Sequence, residues 1–299
     1  MPTRYNYSGA GCRLSVLDNG NVGAPAMVLL HGMRDHAGAM SRIADEFSDY
    51  RVLVPDLRGH GHSEHSATYT MMHFIADLRA LLAHFQLDRP ILVGHSLGGH
   101  ISWIFSATHP EVPSRLVLID GLGPPNLAES FPATLLQQNW RSHVDGLLDP
   151  ASQRRAMANS SEAQQRLMQN NPRLDADWAQ ALVAEGVEPH PDGGVRWRWD
   201  PFAQMVFSTF PGQVAETLFP LIEAPVQIVT GDQGIEYWAR QRPGLLERKA
   251  DFDAANERRF ALFRNARHAE IAGAGHMVNY DQPDELNRII RRFLEDPDP

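Results

Sequence analysis

The chain has 299 residues, 43% of them apolar and 21% charged, enough for a sizeable core in one large domain with an insertion, or in two domains. Its 27 basic and 36 acidic residues leave a net charge of -9, which argues against nucleic acid as a partner because phosphate neutralisation needs a basic surface. Cys12 is the single cysteine, so neither an intramolecular disulfide nor a cysteine-built metal cluster can form, and no apolar run is long enough to cross a bilayer.

Met1 to Tyr7 has neither the basic start nor the apolar stretch of a secretion signal, so a cytoplasmic location is the default expectation. Arg13 to Leu17 reads as a strand closed by the turn residues Asp18-Asn19-Gly20-Asn21. Ala26 to Leu30 is apolar without alternation, as in a strand buried on both faces. It runs into His31-Gly32-Met33-Arg34-Asp35, where a glycine lets the backbone pass close to a ligand at the carboxyl edge of the sheet. A helical stretch over Met40 to Phe47 and a strand over Arg51 to Pro55 follow, then Asp56-Leu57-Arg58-Gly59-His60-Gly61-His62-Ser63. His60, His62 and His65 invite a metal hypothesis, but no carboxylate stands at zinc-like spacing and the glycines favour a structural turn. Asp56 and Arg58 are expected to lock that turn through charged hydrogen bonds.

Phe74, Leu78, Leu81, Leu82 and Phe85 recur at helical spacing and lead into Pro90-Ile91-Leu92-Val93-Gly94-His95-Ser96-Leu97-Gly98-Gly99. A buried strand here passes through a tight turn, with Ser96 at its apex, into a helix over His100 to His109. Glycine is needed two residues before and two after the serine, because a Cβ at either place would collide with the neighbouring strand or helix. The plain alternative is an ordinary strand-to-helix turn capped by Ser96. Arg115 to Ile119 is another buried strand, ending in Asp120-Gly121-Leu122-Gly123-Pro124-Pro125. Strands and helices alternating at this pace indicate an α/β fold with a mostly parallel sheet and reactive groups at the strands' carboxyl ends.

The rhythm breaks after Pro125. Amphipathic segments at Phe131 to Leu148, Ala151 to Met168 and Asp175 to Glu185, separated by turn-rich joints, predict a helical insertion above the carboxyl edge of the sheet. In Arg196-Trp197-Arg198-Trp199-Asp200, alternation puts both tryptophans on one face, packed inward, and both arginines on the other, paired with acids. An RNA platform is the competing reading and sits badly in an acidic chain. Trp197 or Trp199 touching substrate is a further one. The core resumes with a strand over Ala224 to Thr230, ending in Gly231-Asp232-Gln233-Gly234. A charged, mostly helical piece spans Tyr237 to Phe263; a last strand, Ala266 to Ile271, leads to Gly275-His276, and a helix over Pro283 to Leu294 closes the chain.

A serine hydroxyl is a poor nucleophile unless an imidazole removes its proton, and the imidazole needs a carboxylate to fix its tautomer. In a parallel-sheet hydrolase the expected chain order is serine, acid, histidine, which makes His276 the candidate base. His95 adjoins the serine, where side chains at a sharp bend diverge, so packing beneath the turn is its expected role, with the pocket as an alternative. The backbone N–H groups of Leu97 and Met33 are the candidate oxyanion donors, and Arg34 is placed at the mouth of the site or on the surface.

Val28-Leu29-Leu30-His31-Gly32, Asp56 to Ser63, Gly94-His95-Ser96-Leu97-Gly98-Gly99 and Gly275-His276 together resemble the motif set of the α/β-hydrolase superfamily, over roughly residues 10–125 and 215–295. Leu118 to Pro125 and Trp197 to Pro201 further resemble bacterial serine-hydrolase-like proteins. The resemblance implies a core domain of residues 1–125 and 216–299 with a helical cap over 126–215. It also implies a cofactor-independent, metal-free serine hydrolase acting on small or medium-sized carboxylic esters. Epoxide hydrolases and haloalkane dehalogenases of the superfamily usually carry aspartate at the turn, where this chain has Ser96. In most members the acid follows the strand represented by Val226 to Thr230, but glycine stands at its usual place here and Asp232 comes two residues early. The resemblance offers a second location at the end of the preceding core strand, occupied by Asp120; Asp120 leads, ahead of Asp232 and Glu236. A lactonase or C–C bond hydrolase would share these residues, and a non-catalytic small-molecule binding protein could be built on the same scaffold. No membrane insertion and no nucleic-acid partner is expected; the sequence carries no signal of oligomeric state.

Overall fold

The computed structural model describes residues 2–127, 133–149, 156–208, 210 and 212–296. Among these, ten strands run in chain order as β1 (Thr3–Ser8), β2 (Arg13–Asp18), β3 (Ala26–Leu30), β4 (Arg51–Pro55), β5 (Ile91–His95), β6 (Arg115–Ile119), β7 (Val187–Pro189), β8 (Val195–Trp197), β9 (Val226–Gly231) and β10 (Ala266–Ile271). Eight form one sheet in the order β1-β2-β4-β3-β5-β6-β9-β10. β1 and β2 pair antiparallel, β2 joins β4 antiparallel, and every pairing from β4 to β10 is parallel. β1 escaped the sequence reading because it is a polar edge strand: Tyr7 is buried while most of its other residues face solvent.

Parallel strands must be covered on both faces, and side chains alternate between them. Val28 and Leu30 point into one cluster with Leu81, Ile101, Trp103 and Phe105, from α2 (Met71–His84) and α3 (Leu97–Thr108). Met27 and Leu29 point into the other with Ile43, Leu286, Ile290 and Phe293, from α1 (Ser41–Glu46) and α11 (Pro283–Glu295). The Asp56–Ser63 turn is locked as its charges imply. Buried Asp56 accepts hydrogen bonds from the N–H groups of Ala37 (2.8 Å) and His62 (3.1 Å) and an ion-paired bond from Arg4 (2.6 Å). Arg58 makes a two-pronged pair with Asp77 of α2, at 2.6 and 2.7 Å.

Between β6 and β9 the chain leaves the sheet. The segments expected at 131–148 and 151–168 have their first residues outside the described set; the helices described there are α4 (Ala133–Leu148) and α5 (Ser160–Asn170). α6 (Ala176–Gly186) follows, with Asp175 capping its start by accepting from the Trp178 N–H at 2.7 Å. β7 and β8 form a separate two-stranded hairpin beside them, and the short α7 (Gly212–Ala215) comes before β9.

α3 lies so close to the sheet that a Cβ on Gly98 would stand 2.1 Å from the Leu30 carbonyl oxygen, and one on Gly99 would stand 2.4 Å from the Cα of Gly121. In both cases the obstacle is backbone, which cannot rotate aside. Gly98→Ala is therefore expected to lower the midpoint of chemical denaturation, by roughly 1–3 kcal/mol of overpacking strain. An unchanged midpoint would mean that α3 can move off the sheet freely.

Candidate active site

Three loops at the carboxyl edge of the sheet converge. The first is the turn from β5 into α3, where Ser96 has φ 49° and ψ -111°, a conformation that side-chain-bearing residues rarely adopt. The second is the end of β6, where Asp120 also has positive φ, at 40°. Arg259 of α9 (Lys249–Phe260) steadies the chain just beyond it, donating to the carbonyls of Leu122 (2.5 Å) and Gly123 (2.8 Å) while pairing with Glu216. The third is the loop after β10, which carries His276.

His276 Nδ1 lies 2.7 Å from Asp120 Oδ2, and His276 Nε2 lies 3.0 Å from Ser96 Oγ. A carboxylate can only accept, so Nδ1 carries the imidazole proton and Nε2 is the acceptor for the serine hydroxyl. Three groups from sequence positions far apart thus form one continuous hydrogen-bonded line. His276 is 5% exposed, which shields the line from competing water.

The other candidate acids are engaged elsewhere. Asp232 accepts from the Gly273 N–H at 2.9 Å and braces the loop after β10, without a bond to His276. Glu236 pairs with Arg173 at 2.9 Å. At Gly234, where the resemblance would put the acid, a Cβ would come within 3.2 Å of Asp120 Oδ2.

Leu97 is the first residue of α3, so its N–H has no intrahelical acceptor. Met33 lies on the facing loop, shaped by His31, whose Nδ1–H donates to the Gly32 carbonyl (2.8 Å) and whose Nε2 accepts from the Leu57 N–H (3.0 Å). Burial pushes His31 down to about 3, so it keeps this neutral two-sided role. His100 donates from Nδ1 to the Ser96 carbonyl at 3.1 Å, and burial among Trp103, Phe207 and Phe210 lowers it to about 4.

The proposed pocket residues separate. His95 is buried beneath the turn, with Nε2 3.0 Å from the His276 carbonyl oxygen, because alternation along β5 turns it away from Ser96. The two tryptophans do not share an inward face. β8 ends at Trp197, which packs in a small cluster with Met157, Ala163 and Val183, and the chain then bends so that Trp199 meets Arg34, whose guanidinium carbon stands 5.1 Å from the ring centroid. Arg34 also donates to Gln204 at 2.8 Å. Arg196 and Arg198 do pair with an acid, both with Glu188.

Sequence reasoning passed over the aromatic cover of the histidine. The Tyr237 ring, on α8 (Ile235–Ala239), stacks on the His276 imidazole with centroids 4.2 Å apart and planes 23° apart, and Trp238 meets it edge-on at 5.3 Å. Arg173, in the loop between α5 and α6, bonds to Gln233 and Glu236 and tethers the insertion to this part of the site. Nothing in the local pattern of Glu236-Tyr237-Trp238 marks it off from ordinary amphipathic helix.

Residues 25–179 match the family described as alpha/beta hydrolase fold. Lipase LipV of Mycobacterium tuberculosis is 31% identical over 284 residues, spanning 90% of this chain and 94% of that protein. A serine hydrolase-like protein of Danio rerio is 25% identical over 283 residues, 91% of this chain and 82% of that one. Among solved structures, E-2-(acetamidomethylene)succinate hydrolase superposes with a TM-score of 0.78 at 21% identity, covering 99% of this chain and all of its own, a likeness of fold. With the sheet order, the turn geometry and these matches in agreement, the chain belongs to the α/β-hydrolase fold family.

Proposed function

We propose that the protein is a serine hydrolase that cleaves carboxylic esters of small or medium-sized substrates through an acyl-enzyme. One observation carries this reading: the unbroken line from Asp120 Oδ2 through His276 to Ser96 Oγ, with links of 2.7 and 3.0 Å. Ser96 Oγ attacks the acyl carbon as its proton passes to His276 Nε2, and Asp120 stabilises the imidazolium that forms. The negative oxygen of the tetrahedral intermediate is held by the Leu97 and Met33 N–H groups. His276 then gives its proton to the leaving alcohol, and the same imidazole activates the water that releases the acid. No metal or organic cofactor is needed for any of these steps. The insertion over 126–215 acts as the cap that shapes the substrate cavity.

A fluorophosphonate probe tests the nucleophile directly. The folded protein is expected to take up one equivalent at Ser96, located by peptide mass, and the unfolded protein none. Absence of labelling in the folded state would instead mark a binding protein on a hydrolase scaffold. A panel of esters, lactones and diketones then separates ester cleavage from the related chemistries.

A further inference from the structure

The residue after Met33 is an arginine whose surroundings supply no anion. Arg34 has φ 68°, in the left-handed region that a side-chain-bearing residue rarely adopts, so the loop holds it there against local preference. Its guanidinium carbon stands 5.1 Å from the Trp199 ring centroid, and it donates to Gln204, in the 3₁₀ turn Pro201–Phe207, at 2.8 Å. A guanidinium carries five N–H donors, of which Gln204 meets one. The neighbouring acid does not answer the rest: Asp35 accepts from the hydroxyl of Tyr280, in α10 (Val278–Asp281), at 2.5 Å. Arg240, which follows α8, is in the same condition, its guanidinium donating to the Asn170 carbonyl at 3.1 Å. Neither arginine is ion-paired with a carboxylate of the described residues. By contrast, Arg42, Arg58, Arg196, Arg198, Arg259 and Arg291 each pair with an acid in this chain of 36 acidic residues.

Both arginines stand near enough to Tyr237, the ring stacked on His276, to act on its phenol. Burial pushes that phenol up; the strongest charge acting on it is Arg34, which opposes the rise, while Asp120 adds to it and Arg240 again opposes it. One phenol thus senses both Asp120 and Arg34, which places the guanidinium at the mouth of the site. We propose that Arg34 is a specificity-determining residue and that the substrate is an ester carrying a carboxylate, bound by the free N–H groups of its guanidinium. In the proposed reaction the ester carbonyl oxygen rests on the Met33 N–H, so the next few atoms of the substrate lie beside the residue that follows, Arg34. Trp199 backs the guanidinium and Gln204 fixes its rotation, leaving other N–H groups to meet the two oxygens of a carboxylate. The carboxylate takes no part in making or breaking bonds. Its contribution is to hold the ester in register with Ser96.

The inference rests on the proposed ester hydrolysis for its kinetic arm, and a binding arm stands apart from activity. In pH-stat assays at low ionic strength, monomethyl glutarate is expected to show a higher kcat/KM than methyl pentanoate, its uncharged counterpart of the same length. Arg34→Gln should cut the ratio of the two values by about tenfold to a hundredfold, the worth of a hydrogen bond to a charged group, chiefly through KM. A partly unfolded preparation lowers both rates alike, so the ratio reads the site and not the fold. Arg34→Lys keeps the charge without the fork and should retain part of the preference. Added salt should shrink the wild-type ratio, because the guanidinium is open to solvent. Acetoxyacetate against ethyl acetate repeats the comparison with the carboxylate on the alcohol part. A charged preference in either pair that Arg34→Gln removes supports the proposal and tells which half of the ester Arg34 meets. Equal values in both pairs, or a preference that Arg34→Gln leaves intact, would overturn it while the hydrolase reading stands. By calorimetry, glutarate is expected to bind Ser96→Ala protein and to bind at least tenfold more weakly, on the order of one lost charged hydrogen bond, when Arg34→Gln is added. Such Arg34-dependent binding in a protein that turns over no ester would sink the hydrolase reading and leave the anion site in place.

Discussion

Ser96→Ala is expected to reduce ester turnover on the order of a millionfold, the loss that follows when the attacking atom of a cooperating set is removed. The hydroxyl is the one group in the line that can form a bond to the acyl carbon, and its neighbours cannot replace it. The substitution leaves the backbone conformation at φ 49° as demanding as before, so the folded state should persist with a similar denaturation midpoint. Initial rates with a 4-nitrophenyl ester, read beside that midpoint, check both halves. Retention of even a tenth of the wild-type rate would show that the chemistry runs elsewhere.

The second large effect is expected at Asp120. With asparagine there, the group facing His276 Nδ1 no longer requires a proton on that nitrogen, and the imidazole can settle in the wrong tautomer. A fall in kcat of about 10,000-fold, with a much smaller change in KM, is the expected outcome. Asp232→Asn is the matched control. Its side chain accepts from the Gly273 N–H, which an amide oxygen can also do, so turnover within a few-fold of wild type is expected. A collapse in Asp232→Asn beside a nearly normal Asp120→Asn would move the acid to the other strand.

The contrast between these aspartates shows where sequence is informative. The choice of Asp120 comes from the resemblance to the family, since both aspartates follow apolar strands and the residues alone put each only at the carboxyl edge of the sheet. Gly94 was legible, since its need comes from a contact four residues away, with the carbonyl of Gly98, whereas Gly98 and Gly99 meet Leu30 and Gly121. Asp35, Tyr237 and Tyr280 were not, because their partners lie far along the chain: Tyr280 stands 245 residues from Asp35. The tryptophans misled for another reason. Alternation in Arg196-Trp197-Arg198-Trp199 holds while the backbone is extended, and β8 stops at Trp197.

The pairing of β6 with β9, Leu116 beside Val226 through Ile119 beside Val229, has a consequence for how this scaffold can change. The two strands are parallel, so the excursion leaves from the carboxyl edge after Ile119 and must cross to the opposite edge to enter β9 beside Leu116. A replacement leaves the sheet's hydrogen bonds undisturbed only if its last part makes that crossing, as the stretch through Phe219 and Ile222, packed in the core, does here. Exchange of the part before that crossing is therefore expected to alter the cavity of the proposed reaction while the pairing of β6 with β9 keeps its place.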